Sequence, residues 1–257
     1  MKLAFSTLGC PNWPWREIYA AAKDLQVDGI EIRGIENEMY APRVRIFDDT
    51  NRGVTLAQLS SAGIALTQLT SGATLGMPDS PSAGRQEVLD YIEMARKTGV
   101  PYIRVMISNQ PGPEPVDLDQ AKALYLELCG AAKEKGVCLL IETNGVLADS
   151  KVMAEFMEGT DPAAAGVLWD IHHPYRFFGE SPAQTFGNIG KYVKNTHVKD
   201  SVLQDGKLTY RMMGYGDVPI YDALRILDGA GYQGFVTLEW TKRWNKELQE
   251  PGLVFYH

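Results

Sequence analysis

Short apolar segments alternate with amphipathic segments along the whole chain, and this alternation is the feature that most constrains the fold. Eight of the apolar segments have the length and composition of buried strands. They span residues 2–7, 29–33, 64–70, 102–107, 138–143, 166–171, 193–199 and 235–240. Because a strand, a helix and a further strand pair in parallel through a right-handed crossover, the pattern predicts an α/β protein with a parallel sheet.

Helical periodicity lies between the strands. Apolar side chains at i, i+3 and i+4 spacing predict helices over residues 15–26, 85–99, 118–136 and 218–232. The pattern is weaker over residues 55–62 and 181–190. A left-handed residue is expected near helix ends at Gly29, Gly99, Gly136 and Gly231. The helix near residue 85 is expected to be capped by Asp79, Ser80 or Ser82.

Two architectures fit this order of elements, a closed (β/α)8 barrel and a doubly wound open sheet. The open sheet usually carries a Gly-rich phosphate loop after its first strand, but TLGCPNWPW (7–15) lacks the G-x-G-x-x-G pattern, and no Walker-type loop occurs elsewhere. The 257 residues match the usual barrel length of about 250. Since no linker-like stretch suggests two domains, we predict a single-domain TIM barrel over residues 1–257.

Composition argues against several classes of protein. The net charge is −7 and no dense Lys/Arg cluster is present, so a nucleic-acid partner is not expected. No apolar run approaches the roughly 20 residues of a membrane span, and the N-terminus lacks the apolar core of a signal peptide, so a cytoplasmic protein without a membrane partner is expected. Cys10, Cys129 and Cys138 have no C-x-x-C spacing, which predicts buried, reduced thiols.

The strongest functional signal is a polar residue at the end of each of the last four predicted strands, where a barrel places its active site. These residues are Glu142, Asp170, His197 and Glu239. Three carboxylates in one pocket repel one another unless a cation neutralises them. The mixed oxygen and nitrogen ligands suit one divalent ion, either Mn²⁺, Mg²⁺, Co²⁺ or Zn²⁺, with Mn²⁺ favoured, and exclude an all-thiolate zinc site.

Other polar or aromatic residues near strand ends are candidates for substrate binding: Glu31, Arg33, Arg104, His172, His173, Lys199 and Trp240. Strand alternation would place His172 on the same face as Asp170, whereas an early end of the strand would favour His173. The segment Tyr175–Phe178 is a candidate lid or oligomer contact. The apolar tail PGLVFYH (251–257) is expected to dock on the barrel or on another subunit, so a homo-oligomer is left open.

Several motifs resemble those of the sugar phosphate isomerase/epimerase family. They are F-S-T-L-G-C-P-N-W (5–13), D-G-I-E-I-R (28–33), I-E-T (141–143), W-D-I-H-H (169–173), H-V-K-D (197–200) and L-E-W (238–240). The family consists of xylose-isomerase-like TIM barrels and includes inosose dehydratase-type enzymes, ketose 3-epimerases and endonuclease IV. The similarity covers nearly the whole chain and is specific for fold and metal site.

The resemblance implies that Glu142 and Glu239 are acid/base groups on opposite faces of the substrate as well as metal ligands. It also implies that His173, in a D-x-x-H pair with Asp170, contacts substrate oxygens. Leu203 stands where ketose 3-epimerases usually carry an arginine, which argues against a ketohexose 3-epimerase. The four histidines of the chain are too few for a trinuclear zinc nuclease.

These observations lead to the hypothesis of a metal-dependent isomerase or epimerase for a sugar or cyclitol. Glu142 or Glu239 would remove a proton next to a metal-bound carbonyl to form an enediolate. One base that returns the proton would isomerise the substrate, and two opposed bases would epimerise it. A lyase that dehydrates a keto-cyclitol or cleaves a 3-oxo-glycoside is the alternative, and a non-catalytic sugar- and metal-binding barrel is a second. The missing phosphate loop favours a non-phosphorylated substrate.

Overall fold

Ten strands are present in the computed structural model, which describes residues 1–77 and 81–257. They are β1 (Lys2–Ser6), β2 (Gly29–Ile32), β3 (Ala65–Thr74), β4 (Tyr102–Met106), β5 (Cys138–Glu142), β6 (Ala165–Asp170), β7 (Val193–Val198), β8 (Asp200–Gln204), β9 (Lys207–Arg211) and β10 (Phe235–Leu238). All except β8 and β9 form a closed parallel barrel in the order β1-β10-β7-β6-β5-β4-β3-β2. Each of the eight predicted strands is therefore confirmed, with small shifts at the ends.

Closure of the barrel depends on β1, which pairs in parallel with β2 on one side and β10 on the other. Leu3 is opposite Val236, and Phe5 is opposite both Leu238 and Ile30. A doubly wound open sheet has two unpaired edges, so the closed-barrel alternative is the correct one. Closure also brings the carboxyl ends of β2 and β4 to the same rim as those of the last barrel strands.

The helices surround this barrel. They are α1 (Trp15–Asp24), α2 (Arg52–Ser61), α3 (Pro81–Thr98), α4 (Leu118–Lys133), α5 (Ser150–Met157), α6 (His172–Phe178), α7 (Pro182–Ile189), α8 (Ile220–Gly229) and α9 (Pro251–Val254). All six predicted helical regions are confirmed, while α5, α6 and α9 were not predicted. The sequence marks the start of α5 with Asp149, whose carboxylate accepts hydrogen bonds from the backbone amides of Lys151 and Val152. The expected lid segment Tyr175–Phe178 belongs to α6.

The predictions for helix ends are confirmed only in part. Gly99, Gly136 and Gly231 have the expected positive φ angles. Gly29 was assigned wrongly, because Gln26 adopts the left-handed conformation after α1 with a φ of 53°. Among the proposed caps of α3, Asp79 and Ser80 lie outside the described residues, and Ser82 lies within the helix.

A hairpin that the sequence analysis did not predict follows the seventh barrel strand. Strands β8 and β9 pair antiparallel, with Ser201 opposite Tyr210 and Leu203 opposite Leu208. Their turn is formed by Asp205 and Gly206, which both have positive φ angles. Asp-Gly is a strong signal for such a two-residue turn, so the hairpin was present in the sequence and was overlooked.

Apolar side chains from the barrel and the helices form one large core. Cys10, Cys129 and Cys138 lie in buried positions as free thiols, which confirms that prediction, and burial raises the pKa of each thiol above its usual value. The C-terminal tail docks on the barrel, since the ring of Phe255 lies 4.6 Å from that of Phe5. Within the described ranges, no helix combines the length and the apolar character that a membrane crossing requires.

Candidate active site

Four buried side chains from the predicted metal-ligand set meet at the carboxyl end of the barrel. Glu142 ends β5, Asp170 ends β6, His197 lies in β7 and Glu239 directly follows β10. Each offers one ligand atom, and all these atoms lie within 4.8 Å of one another. The register explains the arrangement, because His197 is opposite both Asp170 and Thr237 in the parallel ladder. The cluster is thus a possible metal site made of three carboxylates and one imidazole.

The orientation of His197 is set from behind by Glu31. Its Nε2 lies 2.7 Å from the Oε2 atom of Glu31, which also accepts a hydrogen bond of 2.8 Å from the side-chain amide of Gln68. The other ring nitrogen, Nδ1, faces the cluster at 3.3 Å from the Oε1 atom of Glu239. Within residues 1–77 and 81–257, Nδ1 has no hydrogen-bond partner. A histidine whose outer nitrogen is bound by a carboxylate commonly presents its inner nitrogen to a metal, so the residues fit a divalent ion.

Charged neighbours keep the two glutamates of the cluster ionised. Although burial opposes this, Arg104 holds the pKa of Glu142 well below its usual value, and its Nε atom lies 3.3 Å from the Oε2 atom of that carboxylate. Burial also opposes ionisation of Glu239, but Lys199 and His197 lower its pKa to about 2. The Lys199 ammonium donates hydrogen bonds to Asp170 and Glu239. Both glutamates are therefore carboxylates at neutral pH and can bind a cation or accept a proton.

A cavity of about 290 Å³ opens directly above the cluster. Glu142 and Glu239 line this cavity, whereas Asp170 and His197, both fully buried, lie behind its wall. The two glutamates are consequently the members of the cluster that reach a ligand in the cavity as well as the metal site. Glu142 and Glu239 can therefore contact both a metal ion and a ligand in the cavity, whereas Asp170 and His197 face the metal site and not the cavity.

The predicted substrate contacts divide into two groups. Arg33, Arg104, His173 and Lys199 line the cavity. The remaining three, Glu31, His172 and Trp240, lie behind the wall, which excludes them from direct contact with a ligand there.

Each of these three side chains has a partner elsewhere. Glu31 binds His197, as described above. His172 pairs with the hydroxyl of Ser201 at 2.9 Å, and the indole of Trp240 donates to the backbone carbonyl of Gln249 at 3.0 Å. Glu31 Oε1 and His172 Nδ1 have no hydrogen-bond partner among the described residues, but none of the three side chains lines the cavity, so they are corrected from substrate contacts to supporting residues.

The choice between the adjacent histidines follows from where β6 ends. The strand stops at Asp170 and α6 begins at His172, so strand alternation does not extend to the histidines. His173 instead faces the cavity, with its Nδ1 at 2.8 Å from the carbonyl oxygen of Thr143. If Nδ1 carries the proton for this bond, Nε2 is an acceptor, and burial lowers the pKa of His173, which favours the neutral ring.

Sequence analysis missed Tyr210 and Trp244, which also line the cavity. Tyr210 belongs to β9, so recognition of the Asp205-Gly206 turn would have placed it near the rim. Trp244 lies in the irregular segment after β10, where no periodic pattern predicts its direction.

Comparison with known proteins agrees with the barrel fold. A family model described as "Xylose isomerase-like TIM barrel" matches residues 19–254. The chain is 25% identical over 266 aligned positions to fructoselysine 3-epimerase from Escherichia coli O157:H7, covering 98% of this chain and 94% of that protein. Among solved structures, the IOLI protein with a bound zinc atom has a TM-score of 0.79 at 17% identity, with coverage of 100% and 94%. A probable 3-DHS dehydratase from Bacillus anthracis has a TM-score of 0.76 at 15% identity, with coverage of 94% and 93%.

Proposed function

Because the chain belongs to the xylose isomerase-like TIM barrel family, we propose that it is a divalent-metal-dependent isomerase or epimerase of a sugar or cyclitol. In this proposal, Glu142 and Glu239 move protons at a carbon atom beside a carbonyl group. The observation that carries it is the double placement of these two carboxylates, which belong to the ligand cluster and also line the cavity.

The metal would be held by Glu142, Asp170, His197 and Glu239. The unpartnered Nδ1 atom of His197 and the three surrounding carboxylates support this assignment within the described part of the chain. Mixed oxygen and nitrogen ligands are compatible with Mn²⁺, Mg²⁺, Co²⁺ or Zn²⁺, and Mn²⁺ is our first choice. When bound, such an ion would supply Lewis-acid polarisation of a substrate carbonyl.

Proton transfer is assigned to the two glutamates. Both are ionised at neutral pH, since their pKa values are lowered by Arg104 and by Lys199. Glu142 comes from β5 and Glu239 from the end of β10, and strands β6 and β7 separate them in the barrel. Carboxylates that approach from different strands suit removal of a proton on one face and its return on the other. This arrangement favours epimerisation over isomerisation by a single base.

His173 is proposed to orient the substrate. Its neutral ring is held by the carbonyl oxygen of Thr143, which leaves Nε2 as an acceptor for a substrate hydroxyl. Leu8, Met106 and Trp244 supply apolar surface to the same cavity. These side chains would exclude water from the reacting carbon and limit loss of the proton to solvent.

The proposal is tested with a panel of ketoses, aldoses and keto-cyclitols in D₂O, with Mn²⁺ or with EDTA, followed by NMR. We expect deuterium to enter at least one substrate in the presence of Mn²⁺ and not with EDTA. Glu142→Gln and Glu239→Gln should each slow this exchange by at least about 100-fold, the lower range of acid/base catalysis. Glu134→Gln, at an exposed position in the chain, is the matched control and should exchange at the wild-type rate.

Other outcomes identify other functions. Full exchange in both glutamine variants would rule out the two-glutamate scheme. A product lighter by one water molecule would identify a dehydratase. Metal and sugar binding without any exchange would indicate a non-catalytic barrel.

A further inference from the structure

Two arginines line the cavity, and one of them, Arg104, lies beside Glu142 of the carboxylate cluster. Arg33 directly follows β2, and Arg104 lies in β4. Burial and the neighbouring charge of Arg104 together lower the pKa of Arg33 to about 10, so the Arg33 guanidinium is still charged at neutral pH. Glu142, 3.3 Å from Arg104, partly compensates the charge of that arginine, but a second positive charge in the same buried cavity is unfavourable unless a further anion compensates it.

Arg33 has no carboxylate within 4 Å in the described ranges 1–77 and 81–257. Among the described residues, the one side-chain hydrogen bond of Arg33 is a long one of 3.4 Å to the carbonyl oxygen of Met39. The guanidinium lies 5.8 Å from the centre of the Trp244 ring, which holds it in place without neutralising it. Arg33 is therefore positioned at the cavity and retains donors for a ligand.

Arg104 also retains donors, although it is only 4% exposed. Its Nε and Nη1 atoms have no hydrogen-bond partner among the residues that the structure describes. The carboxylate of Glu142 is nearby, but it does not accept a hydrogen bond from Nε or Nη1, because the geometry is unsuitable. Buried guanidinium donors without partners are costly, and a ligand in the cavity would supply what the protein does not.

Lys199 provides the contrast, since its ammonium group donates to both Asp170 and Glu239. The cationic groups of the cavity thus differ in whether their hydrogen-bond donors already have partners in the described part of the chain. The lysine ammonium donates to two carboxylates of the cluster, whereas both arginines retain planar donor groups for an external acceptor, although Arg104 also lies beside Glu142. Such groups match a carboxylate, which accepts two parallel hydrogen bonds from one guanidinium.

We infer that the cavity binds a sugar acid, whose carboxylate is held by Arg33 and Arg104 while its carbonyl end faces Glu142 and Glu239. This inference rests on the proposed function, because it takes the cavity to be the substrate site. It specifies the substrate class: a keto sugar with a carboxylate at the end remote from the reacting carbon.

The test compares ligands that differ only at the sixth carbon. D-Fructuronate, D-fructose and D-fructose 6-phosphate form one set, and D-tagaturonate, D-tagatose and D-tagatose 6-phosphate form the other. Dissociation constants are measured by calorimetry in the presence of Mn²⁺. In at least one set, the acid should bind about 10-fold or more tightly than the neutral ketose, as expected for a charge-assisted hydrogen bond in a buried site.

The matched variants are Arg33→Met and Arg16→Met, the latter at an exposed arginine. In Arg33→Met the ratio of the two dissociation constants should fall towards one, and in Arg16→Met it should keep the wild-type value. Arg33 is preferred for this test because replacement of Arg104 would also disturb Glu142, 3.3 Å away. If Arg33→Met does not fold, the ratio of the two dissociation constants in the wild-type protein still tests whether the cavity prefers the acid.

Three results would overturn the inference: no acid that binds more tightly than its neutral ketose, a ratio unchanged in Arg33→Met, or tighter binding of a phosphate ester than of the acid. Because ligand binding and deuterium exchange are measured separately, failure of this inference is distinguishable from failure of the proposed function. A preference for acids without deuterium exchange would count against the proposed function alone. Exchange of neutral ketoses without that preference would count against the carboxylate site alone.

Discussion

The two sides of the cavity differ in how their charged groups are paired. On the acidic side, formed by Glu142, Asp170, His197 and Glu239, Lys199 bridges two carboxylates, and Glu31 binds the histidine from behind. On the basic side, formed by Arg33 and Arg104, guanidinium donors lack partners in the described part of the chain.

The difference suggests a division of labour. The acidic side is a possible cation site whose carboxylates already have Lys199 and Arg104 as counter-ions, whereas the guanidinium groups of the basic side retain donors for a ligand that arrives from solution. Changes on one side should therefore alter metal binding, and changes on the other should alter the choice of ligand. The predictions below test this separation.

The largest effect is expected from Lys199→Met in the metal-free protein. Removal of the ammonium leaves Asp170 and Glu239 buried without their bridging cation, which should lower the free energy of unfolding by about 3 kcal/mol. Urea denaturation in EDTA measures this loss, and added Mn²⁺ should recover much of it because the ion replaces the missing charge. An unchanged stability in EDTA would show that Lys199 is not the internal counter-ion.

A smaller effect is expected from Glu31→Gln, which weakens the support of His197. Loss of a carboxylate behind a metal-binding histidine typically lowers metal affinity by about 10- to 100-fold. Titration with Mn²⁺ followed by electron paramagnetic resonance measures the change. Arg33→Met is the comparison from the basic side and should change Mn²⁺ affinity by less than Glu31→Gln does, since Arg33 has no carboxylate within 4 Å in the described ranges. Equal losses in both variants would break the proposed separation.

A further effect is a dependence of Mn²⁺ affinity on pH. Burial opposes a charged imidazole, but Glu31 and Glu239 raise the pKa of His197 well above its usual value of 6.5 in the metal-free protein. The proton must leave before Nδ1 binds a metal, so affinity should increase with pH, by at most about tenfold per unit, until the pH passes that pKa. Titrations at pH 6, 7 and 8 check the slope, and a constant affinity would contradict it.

The same proton affects the metal-free fold in the opposite direction. Because the folded-state pKa of His197 is raised, its contribution to stability is fully present below the unfolded value of 6.5. That contribution is lost as the pH rises through the folded-state pKa. Metal-free protein should therefore become less stable over the pH range in which metal binding becomes stronger.

Much of the fold could be predicted because barrel strands, buried on both faces, have a distinct apolar composition, and because strand ends meet at one rim. The cluster of Glu142, Asp170, His197 and Glu239 followed from this rule alone. The directions in which the side chains of Glu31 and His172 point could not be predicted from this rule. Glu31 meets a histidine 166 positions away only through barrel closure, and His172 turns away because a helix begins directly after β6.

The basic side was harder to interpret from sequence. Arg33 and Arg104 were recognised as pocket candidates, but whether an arginine is paired depends on contacts between strands and loops far apart in the chain. Trp244 comes from an irregular segment, and Tyr210 from the overlooked β8–β9 hairpin. Sequence periodicity places a residue on a strand or helix but does not determine which charged partner its side chain meets.

The central claim is that Glu142, Asp170, His197 and Glu239 hold one divalent cation at the floor of the cavity. Anomalous diffraction from crystals grown with Mn²⁺ tests it most directly. We predict one strong peak among the four side chains, at bonding distance from Nδ1 of His197, with Lys199 moved away from it. A peak elsewhere, or no peak at this position with Mn²⁺ in excess, would contradict the account.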